Sequence, residues 1–254
     1  MKITILGCGS SLGVPALCYG WGNCDPNNEK NRRTRSSIFI EHNNTRLLVD
    51  ASPDLKEQIL ANDIKTIDAI LLTHSHFDHA HGFNELRPMM FHQNKVVDIF
   101  STSETIKNVH RSFFYLFQNE SQHIYRKYLN LKEIEFGNFA IQNINGICFP
   151  QNHGFSTSLG FRIENFAYST DVVELSNQMI ENLQNLDLWI VDCLCIGQAR
   201  ATHANLETVL KWIEIIKPKQ ALLTHMDSSM DYDYLCEILP KNIRPAFDQM
   251  QIEI

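Results

Sequence analysis

Three histidines and a carboxylate crowd into the run Thr73-His74-Ser75-His76-Phe77-Asp78-His79. Imidazole nitrogen and carboxylate oxygen are donors that zinc, manganese and iron accept. His74, His76, Asp78 and His79 together offer more than one metal needs from a single loop. A lone histidine is more often an ordinary surface or core residue, but this density of donors predicts a metal site. The element that must position it comes directly before. Ala69-Ile70-Leu71-Leu72 is short, apolar and bounded by Asp68, so it reads as a buried strand ending at His74. Extended backbone alternates its faces, so His74 and His76 leave the strand pointing the same way. Asp78 and His79 open the next turn and can supply a second set of ligands.

Three further donors share this context. His153, in Pro150-Gln151-Asn152-His153-Gly154, is expected in a loop before a strand at Gly160–Ile163. Asp171 follows the strand-like Ala167-Tyr168-Ser169, and His225 follows Ala221-Leu222-Leu223-Thr224, repeating the form of Leu71-Leu72-Thr73-His74. Residues at the same end of neighbouring strands converge on one rim of a sheet. Seven ligands with one bridging carboxylate suit a pair of divalent ions. Such a pair can hold hydroxide at neutral pH and polarise a phosphoryl or carbonyl oxygen.

The rest of the chain sets the frame. Its 254 residues suffice for one large domain or two small ones, and no linker rich in Pro, Gly or Ser divides them, so a single domain over 1–254 is expected. Strands are predicted at Lys2–Leu6, Ser37–Glu41, Thr45–Val49, Ala69–Thr73, Val96–Phe100, Phe139–Ile144, Gly160–Ile163, Ala167–Ser169, Leu188–Val191 and Gln220–Leu223. Helical periodicity appears at Asp54–Asn62, Ser103–Val109, Val172–Leu183, Asn205–Ile216 and Tyr232–Leu239. In the fourth of these Asn205 is the expected N-cap, with Leu206, Val209, Leu210, Ile213 and Ile216 as the buried stripe and Lys217-Pro218 as the stop. Interleaved strands and helices make this an α/β chain.

Composition narrows the class. With 44% hydrophobic and 20% charged residues the chain resembles an ordinary soluble protein. A net charge of −7 repels nucleic acid in bulk. One basic run, Lys30-Asn31-Arg32-Arg33-Thr34-Arg35, reads equally well as a solvated loop or a phosphate-binding segment. The apolar part of Met1–Gly7 is too short for a signal peptide, and no apolar segment approaches the ~18–20 residues of a membrane helix, so cytoplasmic residence without membrane contact is the expectation. Seven cysteines, odd in number and several within apolar runs, suggest reduced thiols. The aromatic stretch Ser112–Phe117 reads first as core, and second as a lid or a homodimer surface.

His-x-His-x-Asp-His followed by separate His, Asp and His resembles the metallo-β-lactamase-fold hydrolases. Leu6–Pro15, Asn31–Ser37, Val49–Asp54, Leu86-Arg87-Pro88 and Leu223-Thr224-His225-Met226 narrow the resemblance to the PhnP-like phosphodiesterase branch. That resemblance implies a four-layer αβ/βα sandwich with a dinuclear site at one edge. It places His74, His76 and His153 on one metal, Asp78, His79 and His225 on the other, and Asp171 between them. It also singles out His203, in Ala201-Thr202-His203-Ala204-Asn205, as general acid or phosphate contact, with Asp78 as the other catalytic residue. A departing alkoxide needs a proton, and a histidine in a loop before a helix can supply it. A separate structural zinc, found in relatives of this branch, is not expected. Only Cys18 and Cys24 stand in that region, and Ser228 replaces the extra histidine.

The reaction these residues imply is hydrolysis of a small phosphodiester, including cyclic ribose phosphates, by hydroxide held between two zinc, manganese or iron ions. Arg87 and Arg32 are candidate phosphate contacts, each equally suited to a structural ion pair. Three readings compete. A tRNA 3′-processing nuclease would carry a Gly- and Lys-rich arm, whereas the longest insertion, Thr105 to Phe136, is aromatic and mixed in charge. A thioester or lactam hydrolase could use the same metals. A metal-binding interaction module would be expected to have lost ligands.

Overall fold

The computed structural model describes residues 1–117 and 127–254. Two seven-stranded sheets face each other. The first contains β1 (Lys2–Gly7), β2 (Ser37–His42), β3 (Thr45–Val49), β4 (Ala69–Leu71), β5 (Val97–Ser101), β6 (Leu129–Glu133) and β14 (Gln251–Glu253), in the order β14-β1-β2-β3-β4-β5-β6. The second contains β7 (Gly137–Ile141), β8 (Ile144–His153), β9 (Ser156–Ile163), β10 (Phe166–Ser169), β11 (Leu188–Asp192), β12 (Gln220–Thr224) and β13 (Ile243–Pro245), in the order β13-β12-β11-β10-β9-β8-β7. Each sheet is antiparallel in one half and parallel in the other, with β3 to β6 and β10 to β13 forming the parallel halves.

Alternation along single strands divides the core. Ile38, Ile40, Leu47, Val49, Ala69 and Leu71 point between the sheets, where they meet Phe149, Phe161, Ile163 and Trp189. Their neighbours Phe39, Leu48, Ile70 and Leu72 point the other way, against Leu55, Leu86, Met90 and Phe113. These come from α1 (Leu55–Ala61), α3 (Arg87–Gln93), α4 (Ser103–Phe113) and the 3-10 turn Phe83–Leu86. Burial on both faces is why these strands read as continuous apolar runs. On the outer face of the second sheet, α6 (Leu206–Ile216) buries Leu206, Val209, Trp212, Ile213 and Ile216. The Asn205 side chain caps it by accepting from Thr208 N, and Lys217 ends it with a φ of 54°. Leu210 is only partly buried, and Trp212 occupies the stripe instead. The four layers are helix, sheet, sheet, helix.

Several expectations need correction. His153 is not in a loop: it is the last residue of β8, which composition hid because Asn, Gly, Gln and Pro interrupt it. Pro150 is tolerated because β7 pairs with β8 only as far as Cys148, so no partner needs its missing N–H. The helix expected over Val172–Leu183 shrinks to α5 (Asn177–Asn182). Val172 and Val173 are drawn into an extended path instead, donating to Asp192 Oδ2 at 3.0 Å and Asn152 O at 2.9 Å. The insertion after Thr105 is largely α4 continued to Phe113, followed by β6; its residues 118–126 lie outside the described residues. Within the aromatic stretch Phe113 and Leu116 are core, while Phe114 and Tyr115 are exposed. Among the described residues, no helix is long and apolar enough to cross a membrane.

Candidate metal centre

The parallel halves of both sheets end at one rim, as open α/β sheets place their sites. In-register pairing sets the level: Val49 lies opposite Leu71, Ser169 opposite Val191, and Asp192 opposite Thr224. The chain leaves three of these strands through residues in the left-handed region, Asp50 (φ 64°), Asp171 (φ 54°) and His225 (φ 57°). Such conformations are uncommon outside glycine and persist where surrounding bonds over-determine them. Thr73 N donates to Asp50 Oδ1 at 2.7 Å, while Met226 N donates to Cys8 O at 2.9 Å. α2 (Phe77–Ala80) begins after His76 and turns Asp78 and His79 inward, where both are buried.

All eight residues predicted from the sequence meet at this rim. His74, His76, His153 and Asp171 offer ligand atoms within 4.8 Å of one another, as do Asp78, His79 and His225. Asp171 faces both groups with different oxygens. Its Oδ2 lies 3.6 Å from His74 Nε2 and 3.4 Å from His153 Nε2, whereas Oδ1 lies 3.2 Å from His79 Nε2 and 3.7 Å from His225 Nε2. His203 stacks on His225 at 4.6 Å between ring centroids, with its Nε2 3.9 Å from Asp171 Oδ2. Only His76 of the group is exposed, so the centre opens on its side.

The donor set fits divalent metal on two grounds. Buried His74 Nε2 and His79 Nε2, both facing Asp171, have no hydrogen-bond partner, a costly state for protein alone. The carboxylates near His79 Nε2, at 3.2 and 3.3 Å, lie out of line for a hydrogen bond. Second, the remaining ring nitrogens are held from behind. His79 Nδ1 meets Asp50 Oδ2 at 2.7 Å, and His153 Nδ1 meets Thr202 O at 2.8 Å. A ligand histidine is oriented in this way, with its other nitrogen left to the metal.

Charge follows the same geometry. Burial pushes His74 well below the usual imidazole range, and His79 adds to it. Burial would do the same to His79, but Asp171, Asp78 and Asp50 outweigh it and hold His79 well above. Burial raises Asp171, yet His225, His79 and His74 carry it well below the carboxylate range. At His203 burial is again outweighed, here by Asp192, whose Oδ2 lies 2.9 Å from Nδ1, and the ring rises to about 9.

Sequence reasoning did not single out Asp50 or Asp192. Each ends or follows an apolar strand, a signal already used to find Asp171. Asp192 is fully buried and serves His203, Val172 N and, at 3.8 Å, His225 Nδ1. The basic run is divided, with Lys30 and Arg32 exposed and Arg33 and Arg35 turned inward. Arg33 is buried and donates to Met230 O at 2.5 Å, to Asn31 Oδ1 at 3.3 Å and to Cys24 Sγ at 3.8 Å. Arg35 pairs with Asp54 at 2.7 Å, while Arg32 lies over Trp21 and Arg87 over Phe91. All seven cysteines are free thiols.

A family model described as the beta-lactamase superfamily domain matches residues 45–226, most of the chain. The chain belongs to the beta-lactamase superfamily, and it is a metal-dependent hydrolase of the metallo-β-lactamase fold. Within that fold it is PhnP-like. A solved structure described as a new diphosphatase from the PhnP family is 27% identical, with a TM-score of 0.92, covering 100% of this chain and 97% of that one. Zinc-bound PqqB from Methylobacterium extorquens shares the fold at 18% identity and a TM-score of 0.80, covering 100% of both chains. An octanoyltransferase of Porphyromonas gingivalis (strain ATCC BAA-308 / W83) is 28% identical over 99% of this chain. The chain spans about half, 51%, of that relative's length.

Proposed function

We propose that this chain hydrolyses a small phosphodiester at a dinuclear centre, with His74, His76 and His153 around one divalent ion, Asp78, His79 and His225 around the other, and Asp171 shared. The observation that carries this reading is the division of Asp171, one oxygen toward each histidine group. Zinc, manganese and iron all suit these donors. When bound, the ions supply Lewis acidity toward a phosphoryl oxygen and lower the pKa of water.

The protein's own residues do the rest. Asp50 fixes the His79 ring and Thr202 O fixes that of His153, so the ligand set is rigid before any ion arrives. Asp192 keeps the proton of the His203 ring on Nδ1 and favours a second proton on Nε2. Charged His203 lies beside the shared carboxylate, where it can bind a phosphoryl oxygen and then protonate the departing oxygen from Nε2.

A diphosphate is the second reading, favoured by the description of the 27% identical structure as a diphosphatase. It needs the same centre, with phosphate rather than alkoxide as leaving group. The octanoyltransferase name belongs to a relative twice as long. Acyl transfer through a thiol would need an activated cysteine, whereas burial raises Cys8, Cys24, Cys148, Cys193 and Cys195.

The test is a panel of bis-p-nitrophenyl phosphate, a diphosphate diester, a lactam and a glutathione thioester, with zinc, manganese or iron. Turnover of a phosphoric ester by the native protein, lost in His76→Ala and Asp78→Ala, is expected. Turnover of the thioester or lactam alone would overturn the proposal.

A further inference from the structure

Two histidines from different donor groups share one buried carboxylate. Asp50 lies just past the end of β3 and is fully buried, and both of its oxygens are taken. Oδ1 accepts from Thr73 N at 2.7 Å, and Oδ2 faces His79 Nδ1 at 2.7 Å. The Thr73 hydroxyl stands 3.0 Å from Oδ1 and 2.9 Å from Oδ2. The same hydroxyl lies 3.0 Å from Nδ1 of His74. A path of short contacts therefore runs from His79 through Asp50 and Thr73 to His74.

Counting protons gives this path a direction. An ionised carboxylate only accepts, so the single hydroxyl proton of Thr73 goes to Asp50. With that proton committed, Thr73 Oγ1 can only accept, and His74 must bring a proton on Nδ1. His79 brings its own Nδ1 proton to Asp50 directly. Each ring, when neutral, then carries a lone pair on Nε2. Those two Nε2 atoms are buried without a partner and face different oxygens of Asp171, His74 at 3.6 Å and His79 at 3.2 Å. A lone pair set against a carboxylate is unfavourable unless a cation is shared between them. Thr73 is well placed to hold the direction. It is 1% exposed, its N donates to Asp50, and its carbonyl accepts from Leu159 N of β9 at 2.9 Å.

We infer, resting on the dinuclear reading above, that Thr73 is a positioning residue. Through its hydroxyl one carboxylate, Asp50, sets the tautomer of a ligand on each ion, His79 directly and His74 by relay. Removing the hydroxyl alone should weaken the ion on the His74 side and spare the other, because His79 keeps its own bond to Asp50.

The test compares the native protein with Thr73→Val, which keeps the shape and loses the hydroxyl, and Thr73→Ser, which keeps the hydroxyl. Zinc uptake against a competing chelator, followed on the ring resonances of His153 and His225, reports the two ions separately. In Thr73→Val the ion on the His153 side should bind about tenfold or more weakly, and the ion on the His225 side should change by less than about threefold. Thr73→Ser should stay within about threefold of native at both. Histidine 15N NMR of the zinc-loaded proteins reads the relay itself. Hydrogen-bonded Nδ1 protons are expected on His74 and His79 in the native protein and in Thr73→Ser. In Thr73→Val that of His74 should lose its protection from exchange while that of His79 keeps it. Equal weakening of both ions in Thr73→Val, a serine variant as impaired as the valine one, or a native His74 without a proton on Nδ1 overturns the proposal. A native protein that takes up one ion only would refute the dinuclear reading. The relay is then decided by the Nδ1 protons of His74 and His79 in the same three proteins.

Discussion

Asp171 is a buried carboxylate and Asp248 a half-buried one, and their surroundings drive them in opposite directions. Asp171 sits among histidines, which pull it well below its ordinary range in spite of burial. Asp248 accepts four hydrogen bonds, from Cys8 N and Sγ and from Thr34 N and Oγ1, all of them neutral donors. Burial wins there, and the group rises to about 6. The metal centre gathers charge and leaves polar atoms unpartnered. The seam between the Cys8–Arg35 segment and residues 227–248 is bonded largely within itself: the Arg33 guanidinium donates to Met230 O and Asp227 O and Asn31 Nδ2 to Asp231, with Arg33 Nε left unpartnered. A buried polar cluster made for a ligand is marked by what its own bonds leave undone.

The sharpest way to break this contrast is Asp171→Asn. It removes the shared negative charge, and kcat/KM should fall about a thousandfold or more, roughly 4 kcal/mol, with metal content dropping from two toward one by elemental analysis. Arg33→Met attacks the other region. Its loss leaves buried acceptors unpaired and should cost about 3 kcal/mol by denaturant unfolding, with metal stoichiometry unchanged. Equal metal loss in both variants would mean that the regions are not separate.

Asp192→Asn tests how far the centre depends on residues behind its ligands. Activity should drop about a hundredfold while both ions remain, because His203 loses the charge that keeps it protonated. The last effect concerns pH. Asp248 has a folded pKa of about 6, above the unfolded carboxylate value of 3.8, so the native state binds the extra proton. The contribution of this group to stability is therefore largest below about pH 4, declines by about 3 kcal/mol as pH rises through 6, and is absent above that. In Asp248→Asn that decline should be missing from chemical denaturation across this interval. A steeper decline in the variant would contradict the assignment.

Much of the centre was legible because strand and donor are adjacent in sequence. Leu71-Leu72-Thr73-His74 and Leu222-Leu223-Thr224-His225 announce a buried strand and what it delivers. The same form at positions 190–192 was harder to read: Ile190-Val191-Asp192 ends in a carboxylate that holds the His203 ring from behind. β8 was hidden because its partners, β7 and β9, supply the pairing that its own composition does not advertise. Val172–Leu175 has helical periodicity but is claimed by Asn152 and Asp192, partners that local propensity does not contain.

The sequence by itself determined the α/β alternation, the seven candidate ligands and the donor chemistry, since residue type and local spacing carry all three, while His203 came from the family resemblance. Tertiary structure decided the rest. Only the facing of the two sheets brings His76 beside His153, at the end of antiparallel β8, and divides Asp171 between two histidine groups. It also set Asp50 and Asp192 behind the ligands and committed Arg33 and Arg35 of the basic run to internal bonds. Proximity between residues a hundred positions apart is a property of packing, and charge state in a buried cluster follows from that proximity.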